Sequence, residues 1–159
     1  MSMVIRKAEL DDAPRLNAAL RRLSADIGDR HRATDDDLRR AGFGPVPSFT
    51  ALLAEAEGEV VGVALVSPVF STTKGAPGAF VSDLWVAETA RGTGLGRRLL
   101  GAVAEMARAD WGAAYLKLSV YHDNPSARAV YARLGFAALE GEITMILGAP
   151  ELDRLKSAR

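Results

Sequence analysis

The chain contains no cysteine. Disulfides, thiolate nucleophiles and thiolate metal sites are therefore excluded outright, and no metal site is expected. An excess of either charge is also missing, since 20 acidic residues balance 20 basic ones. A domain that holds nucleic acid by bulk electrostatics carries a basic surplus, so nucleic acid is not expected as a partner. No apolar run approaches the roughly 20 residues needed to span a bilayer. The first residues, "MSMVIRKAELDD", hold no apolar stretch of signal-peptide length. The expectation is a soluble cytoplasmic protein with no membrane partner. Repeats, low-complexity segments and interdomain linkers are absent as well. With 48% of its 159 residues hydrophobic, the chain can bury a substantial core, and a single domain over 1–159 is expected.

Period and punctuation give the order of elements. "MVIRKA" (Met3 to Ala8) reads as a short strand leading into "DDAPRLNAALRRLSADI". There Asp11 or Asp12 can cap a helix and Pro14 suits the first turn. Leu16, Leu20, Leu23 and Ile27 recur at helical spacing as one expected buried stripe. The polar stretch "GDRHRATDDDLRRAGFGPVPS" predicts a loop with a short helix from Thr34 to Ala41. "FTALLAEAEGEVVGVALVSPVF" holds two apolar runs about a hairpin at Gly58, and "AFVSDLWVA" is a further strand. A helix is expected from about Gly94 to Ala109, with Leu95, Leu99, Val103 and Met106 on one face, and "AAYLKLSVY" reads as a strand. "NPSARAVYARLG" reads as a helix capped by Asn124, with Pro125 at its first position and Gly135 as its stop. "FAALE" and "EITMIL" are expected as two last strands, before a terminal helix turn or tail in "PELDRLKSA". The order implies an α/β (α+β) fold with a mixed, mostly antiparallel sheet and flanking helices. One strand–helix–strand crossover adds a parallel neighbour.

Between "AFVSDLWVA" and the next helix lies "ARGTGLGRRLL" (Ala90 to Leu100), with three alternating glycines. A strand, a glycine-rich turn and a helix start together make an anion site, because unpaired amides and the helix dipole point at the ligand. Missing β-carbons at Gly92, Gly94 and Gly96 let a phosphate approach the backbone. Taken alone, the segment also reads as an ordinary tight turn. A dinucleotide fingerprint would need glycine where Arg97 stands, and a Walker A loop does not fit either. Arg91, Arg97 and Arg98 nevertheless supply three cations near the turn, suited to a ligand with several phosphates.

Arg91-Gly92-Thr93-Gly94-Leu95-Gly96 resembles the R/Q-x-x-G-x-G/A signature of the GNAT superfamily, the N-acetyltransferases that use acetyl-coenzyme A. Further on, "NPSARAVYARLGF" (Asn124 to Phe136) is similar to the family's second signature, N-x-x-A-x-x-x-Y-x-x-x-G-F. The resemblance spans essentially the whole chain and implies a GNAT-like sheet with acetyl-coenzyme A as co-substrate. It implies that Arg91 and the amides of Gly92, Thr93, Gly94, Leu95, Gly96 and Arg97 cradle the pyrophosphate. The main chain of Leu84, Trp85 and Val86 would pair with the pantetheine arm like an added strand, and a bulge there would aim one amide at the thioester oxygen. Asn124 and Ala127 would add cofactor contacts.

Acetyl transfer needs a deprotonated amine, although an alkylamine of pKa about 10.4 is protonated in neutral water. It also needs donors for the thioester oxyanion and a proton for the departing thiolate. By the second signature, Tyr131 is the candidate acid; it also reads as a core tyrosine beside Val130 and Leu134. Tyr121 competes from a strand end. Asp83 stands inside an apolar run, where a carboxylate is disfavoured. It is either solvated on a half-exposed strand or faces the acceptor amine, binding it as ammonium and relaying its proton. His122 can serve as a base or sit as a loop histidine in solvent. His31 can touch substrate from a run that otherwise reads as solvated charge.

The stretch from "VSPVFSTTKG" through "VSDLWVAETARGTGLG" also looks like the diamine acetyltransferase subgroup. That implies a small (poly)amine or amino-acid-like acceptor and a homodimer, in which the two last strands offer edges needing cover. One departure weakens the polyamine case: the subgroup has glutamate immediately before the aspartate, where this chain has Ser82. Acidic Asp35, Asp36 and Asp37 can still attract a cation. A protein or peptide acetyltransferase, and a non-catalytic acyl-coenzyme A binding module, remain alternatives.

Overall fold

Five strands form one sheet in the order β1-β2-β3-β4-β5. They are β1 (Met3–Lys7), β2 (Thr50–Ala56), β3 (Glu59–Ser71), β4 (Ala76–Val86) and β5 (Leu116–Leu118). The computed structural model describes residues 2–158. Neighbours are antiparallel as far as β4, and β5 runs parallel to β4. The helices of this part are α1 (Ala13–Ile27), α2 (Asp35–Phe43) and α3 (Leu95–Trp111), the last forming the crossover from β4 to β5. The chain divides between Tyr121 and His122 into two compact units. The second unit holds α4 (Pro125–Leu134) and α5 (Ala149–Ser157).

Both faces of the sheet are covered, which is why β2 reads as an almost unbroken apolar run rather than an alternating one. On one face Leu16, Leu20 and Leu38 from α1 and α2 pack with Ala51, Leu53, Val63 and Trp85. On the other face lies α3, where a β-carbon at Gly62 would stand 3.3 Å from Leu95 Cδ2. Leu95, Leu99, Val103 and Met106 are buried, as their helical spacing predicts. The β2–β3 hairpin turns on Glu57 (φ 53°) and Gly58 (φ 81°), the paired left-handed residues of a tight hairpin turn. Ile27 departs from its expected stripe: it is the last residue of α1 and is exposed, because the helix ends before another turn can cover it.

The strand expectations for "FAALE" and "EITMIL" are corrected: residues 136–147 form no strand. Alternating apolar and β-branched residues create a tendency, but a strand exists only through its partner, and none pairs here among the described residues. Ile143, Met145 and Ile146 consequently stand exposed. "AAYLKLSVY" likewise contributes only Leu116–Leu118 to the sheet, whereas the terminal turn is realised as the nine-residue helix α5.

A charged cluster ties the start of α1 to the sheet. Arg6 donates to Asp12 at 2.7 and 2.9 Å and to Glu55 at 2.5 Å, and the Glu9 amide also donates to Asp12. The Arg6 guanidinium, with help from that amide, holds the buried Asp12 carboxyl at about 2, below its ordinary 3.8. A depressed carboxylate contributes stability that is complete above the unfolded value and is lost as pH falls towards the folded one. The urea midpoint is therefore expected to decline between about pH 4 and pH 2, and Arg6→Met should flatten this part of the profile. An identical acid limb in the variant would remove the ion pair from the stability account.

Candidate functional site

The glycine turn opens α3 without any of the usual caps. Gly94 (φ 82°) is its N-cap, no side chain caps it, and its first turn holds no acidic residue. The contrast with α2 is direct. There Thr34 and Asp37 form a reciprocal capping box, and Asp35, Asp36 and Asp37 fill the first turn. These three aspartates therefore serve a helix start. At α3 the first ladder bond is Arg98 N to Gly94 O at 3.1 Å, so the amides of Leu95, Gly96 and Arg97 have no intrahelical acceptor. Gly92 (φ 75°) and Gly94 both adopt left-handed backbone, and a β-carbon on either would meet nothing within 4 Å. The turn is open, rich in donors and lacking negative charge, so it fits a phosphate-bearing group. Arg97 is exposed beside it. Arg91 is engaged otherwise, donating from Nε to Val86 O (3.1 Å) and from Nη2 to Asp26 Oδ2 (2.7 Å). Thr93 Oγ1 closes the turn onto Ala90 O.

Immediately before the turn, β4 parts from β5. The parallel ladder pairs Ala79 with Leu116, Phe80 with Lys117 and Val81 with Leu118, and then stops. Residues 82–86 continue as strand against β3 but have no β5 partner on their other edge. The register against β3 also slips here: Leu65 faces Asp83 while Val66 faces Val81, so Ser82 is the extra residue of a bulge. Leu84, Trp85 and Val86 lie along the unpaired edge. Asp83 is half-buried and lies two residues before Trp85, hence on the α1 face of the sheet. Burial pushes its carboxyl above the ordinary aspartate value. The Ser82 hydroxyl, donating at 2.9 Å, and the nearby His31 oppose this shift, and Asp29 adds to it.

Sequence reasoning missed the frame around Asp83. Asn17 on α1, 1% exposed, donates from Nδ2 to Ala33 O (3.1 Å) and Asp35 Oδ1 (2.8 Å), which turns its oxygen towards His31 Nε2 at 2.7 Å. Nε2 therefore donates to Asn17, and Nδ1 lies in hydrogen-bond contact with the Ser24 hydroxyl at 3.2 Å. Both ring nitrogens of His31 are thus occupied. Asp26, near the end of α1, accepts from Trp85 Nε1 at 3.1 Å as well as from Arg91, and Asp29 accepts from Tyr121 at 2.8 Å. A polar Asn17 inside the apolar stripe at Ala13, Leu16 and Leu20 was the one available signal.

In the second unit, Asn124 caps α4 by accepting from Ala127 N at 3.3 Å, with Pro125 in the first turn and Gly135 as the stop. Tyr131 packs edge-on against Phe136 at 5.7 Å. Burial raises its phenol above the ordinary value, so it keeps its proton at neutral pH. His122 is exposed. Among the described residues no cluster of three metal-ligating side chains occurs, and no helix is long and apolar enough to cross a membrane.

The chain is similar to known proteins in sequence and in fold. Residues 16–136 match the Acetyltransferase (GNAT) family. A thialysine N-epsilon-acetyltransferase of Bos taurus is 33% identical over 143 residues, covering 84% of this chain and 83% of that protein. Among solved structures, an integron cassette protein from the mobile metagenome of V. cholerae superposes with a TM-score of 0.81 at 21% identity, covering 99% of both chains. An aminoglycoside N-acetyltransferase, AAC(6')-Iy, solved in complex with CoA, superposes with a TM-score of 0.74 at 19% identity, covering 93% of this chain and 96% of its own. The chain belongs to the GNAT family and is an acetyl-coenzyme A-dependent N-acetyltransferase.

Proposed function

We propose that the chain acetylates a small cationic amine, a (poly)amine or an amino-acid-like acceptor, that docks at Asp83. The observation that carries this reading is a half-buried carboxylate on the β4 bulge, at the mouth of the gap where β4 leaves β5. The similarity to a thialysine N-epsilon-acetyltransferase supports the same class. When bound, acetyl-coenzyme A supplies an activated acetyl thioester. In this reading the amides from Gly92 to Arg97 hold its pyrophosphate, and the open edge of Leu84, Trp85 and Val86 takes its pantetheine arm. Arg91 lends the pyrophosphate positive charge while remaining bonded to Val86 O and Asp26. Asn124 and Ala127 add contacts. Asp83 receives the ammonium and passes its proton to water, Tyr131 gives a proton to the departing sulfur, and the second proton that the nitrogen sheds on acylation restores the phenol. We take residues 1–159 as one acetyltransferase domain, since the family match runs across both units, and as a cytoplasmic one.

A screen of small diamines, amino acids and peptides with acetyl-coenzyme A tests the reading; turnover confined to peptides would overturn it. Asp83→Asn should raise KM for the best amine, with a loss that shrinks as pH rises and more amine arrives deprotonated. Wild-type kcat/KM at pH 7 in this variant would remove Asp83 from the site. The chain is further proposed to be a homodimer, because exposed Ile143, Met145 and Ile146 need cover. Light scattering that gives a fully active monomer would discard that.

A further inference from the structure

We propose that Asp29 is the specificity-determining residue of the acceptor site, selecting amines that carry a second cationic group at a distance from the one that reacts. The inference rests on the small-amine reading and adds the residue that discriminates among such amines.

Three placements lead to it. First, the parallel register of Val81 with Leu118 brings Asp83 and Tyr121 out at the same end of the sheet, two and three residues beyond the last rung. The Tyr121 hydroxyl donates to Asp29 Oδ2 at 2.8 Å, which ties that carboxylate to the chain just beyond β5, at the end of the sheet where Asp83 stands on β4. Second, the segment bearing Asp29 is held in place. Asp26 fastens the end of α1 to Trp85 on β4, two residues beyond Asp83 and on the same face. The Asp29 amide bonds to Ser24 O at 2.8 Å, and the Asn17–His31–Ser24 chain fixes the residues that follow. Third, β4 supplies only one carboxylate, because the neighbouring position is Ser82, whose hydroxyl is spent on Asp83 itself. Asp29 supplies a second charge from another element, close enough to be felt at Asp83.

His31 attracts the Asp83 carboxylate from a distance but forms no ion pair with it among the described residues. Among the described residues no lysine or arginine forms an ion pair with Asp29 or Asp83, although Arg30 and Arg32 flank Asp29 in sequence. Two separated acceptors suit a substrate with two separated cations better than one with a single charge. Because Asp29 is exposed, it acts on binding and not on the chemical step, and its effect belongs in KM.

Cadaverine and pentylamine, a diamine and a monoamine of the same length, serve as probes with acetyl-coenzyme A. The wild-type chain should favour cadaverine. In Asp29→Asn, which keeps an oxygen for Tyr121, the cadaverine-to-pentylamine ratio of kcat/KM should fall about tenfold, through KM. Tyr121→Phe, which frees the Asp29 carboxylate, should lower the ratio by less. A wild-type chain without preference, or an Asp29→Asn chain with the wild-type ratio, overturns the inference and leaves the small-amine reading standing. A wild-type chain that acetylates peptides but neither amine overturns that reading and this inference with it.

Discussion

Replacing Tyr131 by phenylalanine should leave acetyl-coenzyme A affinity intact and lower kcat about 10²-fold or more. The substitution keeps the ring and its edge contact with Phe136, and removes only the hydroxyl. Burial raises its pKa, and the sign of that shift matters. An acid must be protonated to donate, so activity through Tyr131 is complete at neutral pH and falls only as pH rises through the raised value. The wild-type kcat profile should therefore show a late alkaline decline that Tyr131→Phe abolishes. Unchanged kcat in the variant would return Tyr131 to a packing role, and would turn attention to His122 or to water as the proton donor.

What could be read from the sequence was local in origin. Gly92 and Gly94 announce themselves because positive φ is a property of single residues, and the missing acid after Gly94 is visible against the three aspartates that open α2. Asn124, Pro125 and Gly135 mark both ends of α4 for the same reason. A bulge in β4 was expected only through a family resemblance, and its place at Ser82 was not, because it is defined by a count of residues against β3, and that count exists only after pairing. Asp29 was unreadable for a related reason. Its meaning comes from Tyr121, some ninety residues away in the chain, whereas its neighbours make it look like part of a solvated run. "EITMIL" failed in the opposite direction: it has the pattern of a strand and no partner among the described residues.

The glycine turn carries the other large effect. A ligand that binds only the native state adds RT ln(1 + [L]/Kd), about 2.7 kcal/mol at a hundredfold excess over Kd. Gly94→Val should reduce that gain to a few tenths of a kcal/mol if affinity falls about a hundredfold. Two physical effects act together in the variant. At φ 82° a β-branched side chain is strained, so the turn relaxes away from its shape, and the added methyls fill space beside Gly94 that is open in the wild-type turn. The strain also lowers the stability of the free protein, which would confuse a comparison of melting temperatures between chains. Measuring the coenzyme A-induced shift within each variant removes that problem, since the intrinsic penalty is present with and without ligand. Gly101→Val controls for a β-branched residue elsewhere on α3: Gly101 is exposed, a β-carbon there meets nothing within 4 Å, and it lies almost two turns beyond Gly94. Its ligand-induced shift should equal the wild-type one. A folded Gly94→Val protein with the full shift would show that the phosphates bind elsewhere, and the uncapped start of α3 would then need another explanation.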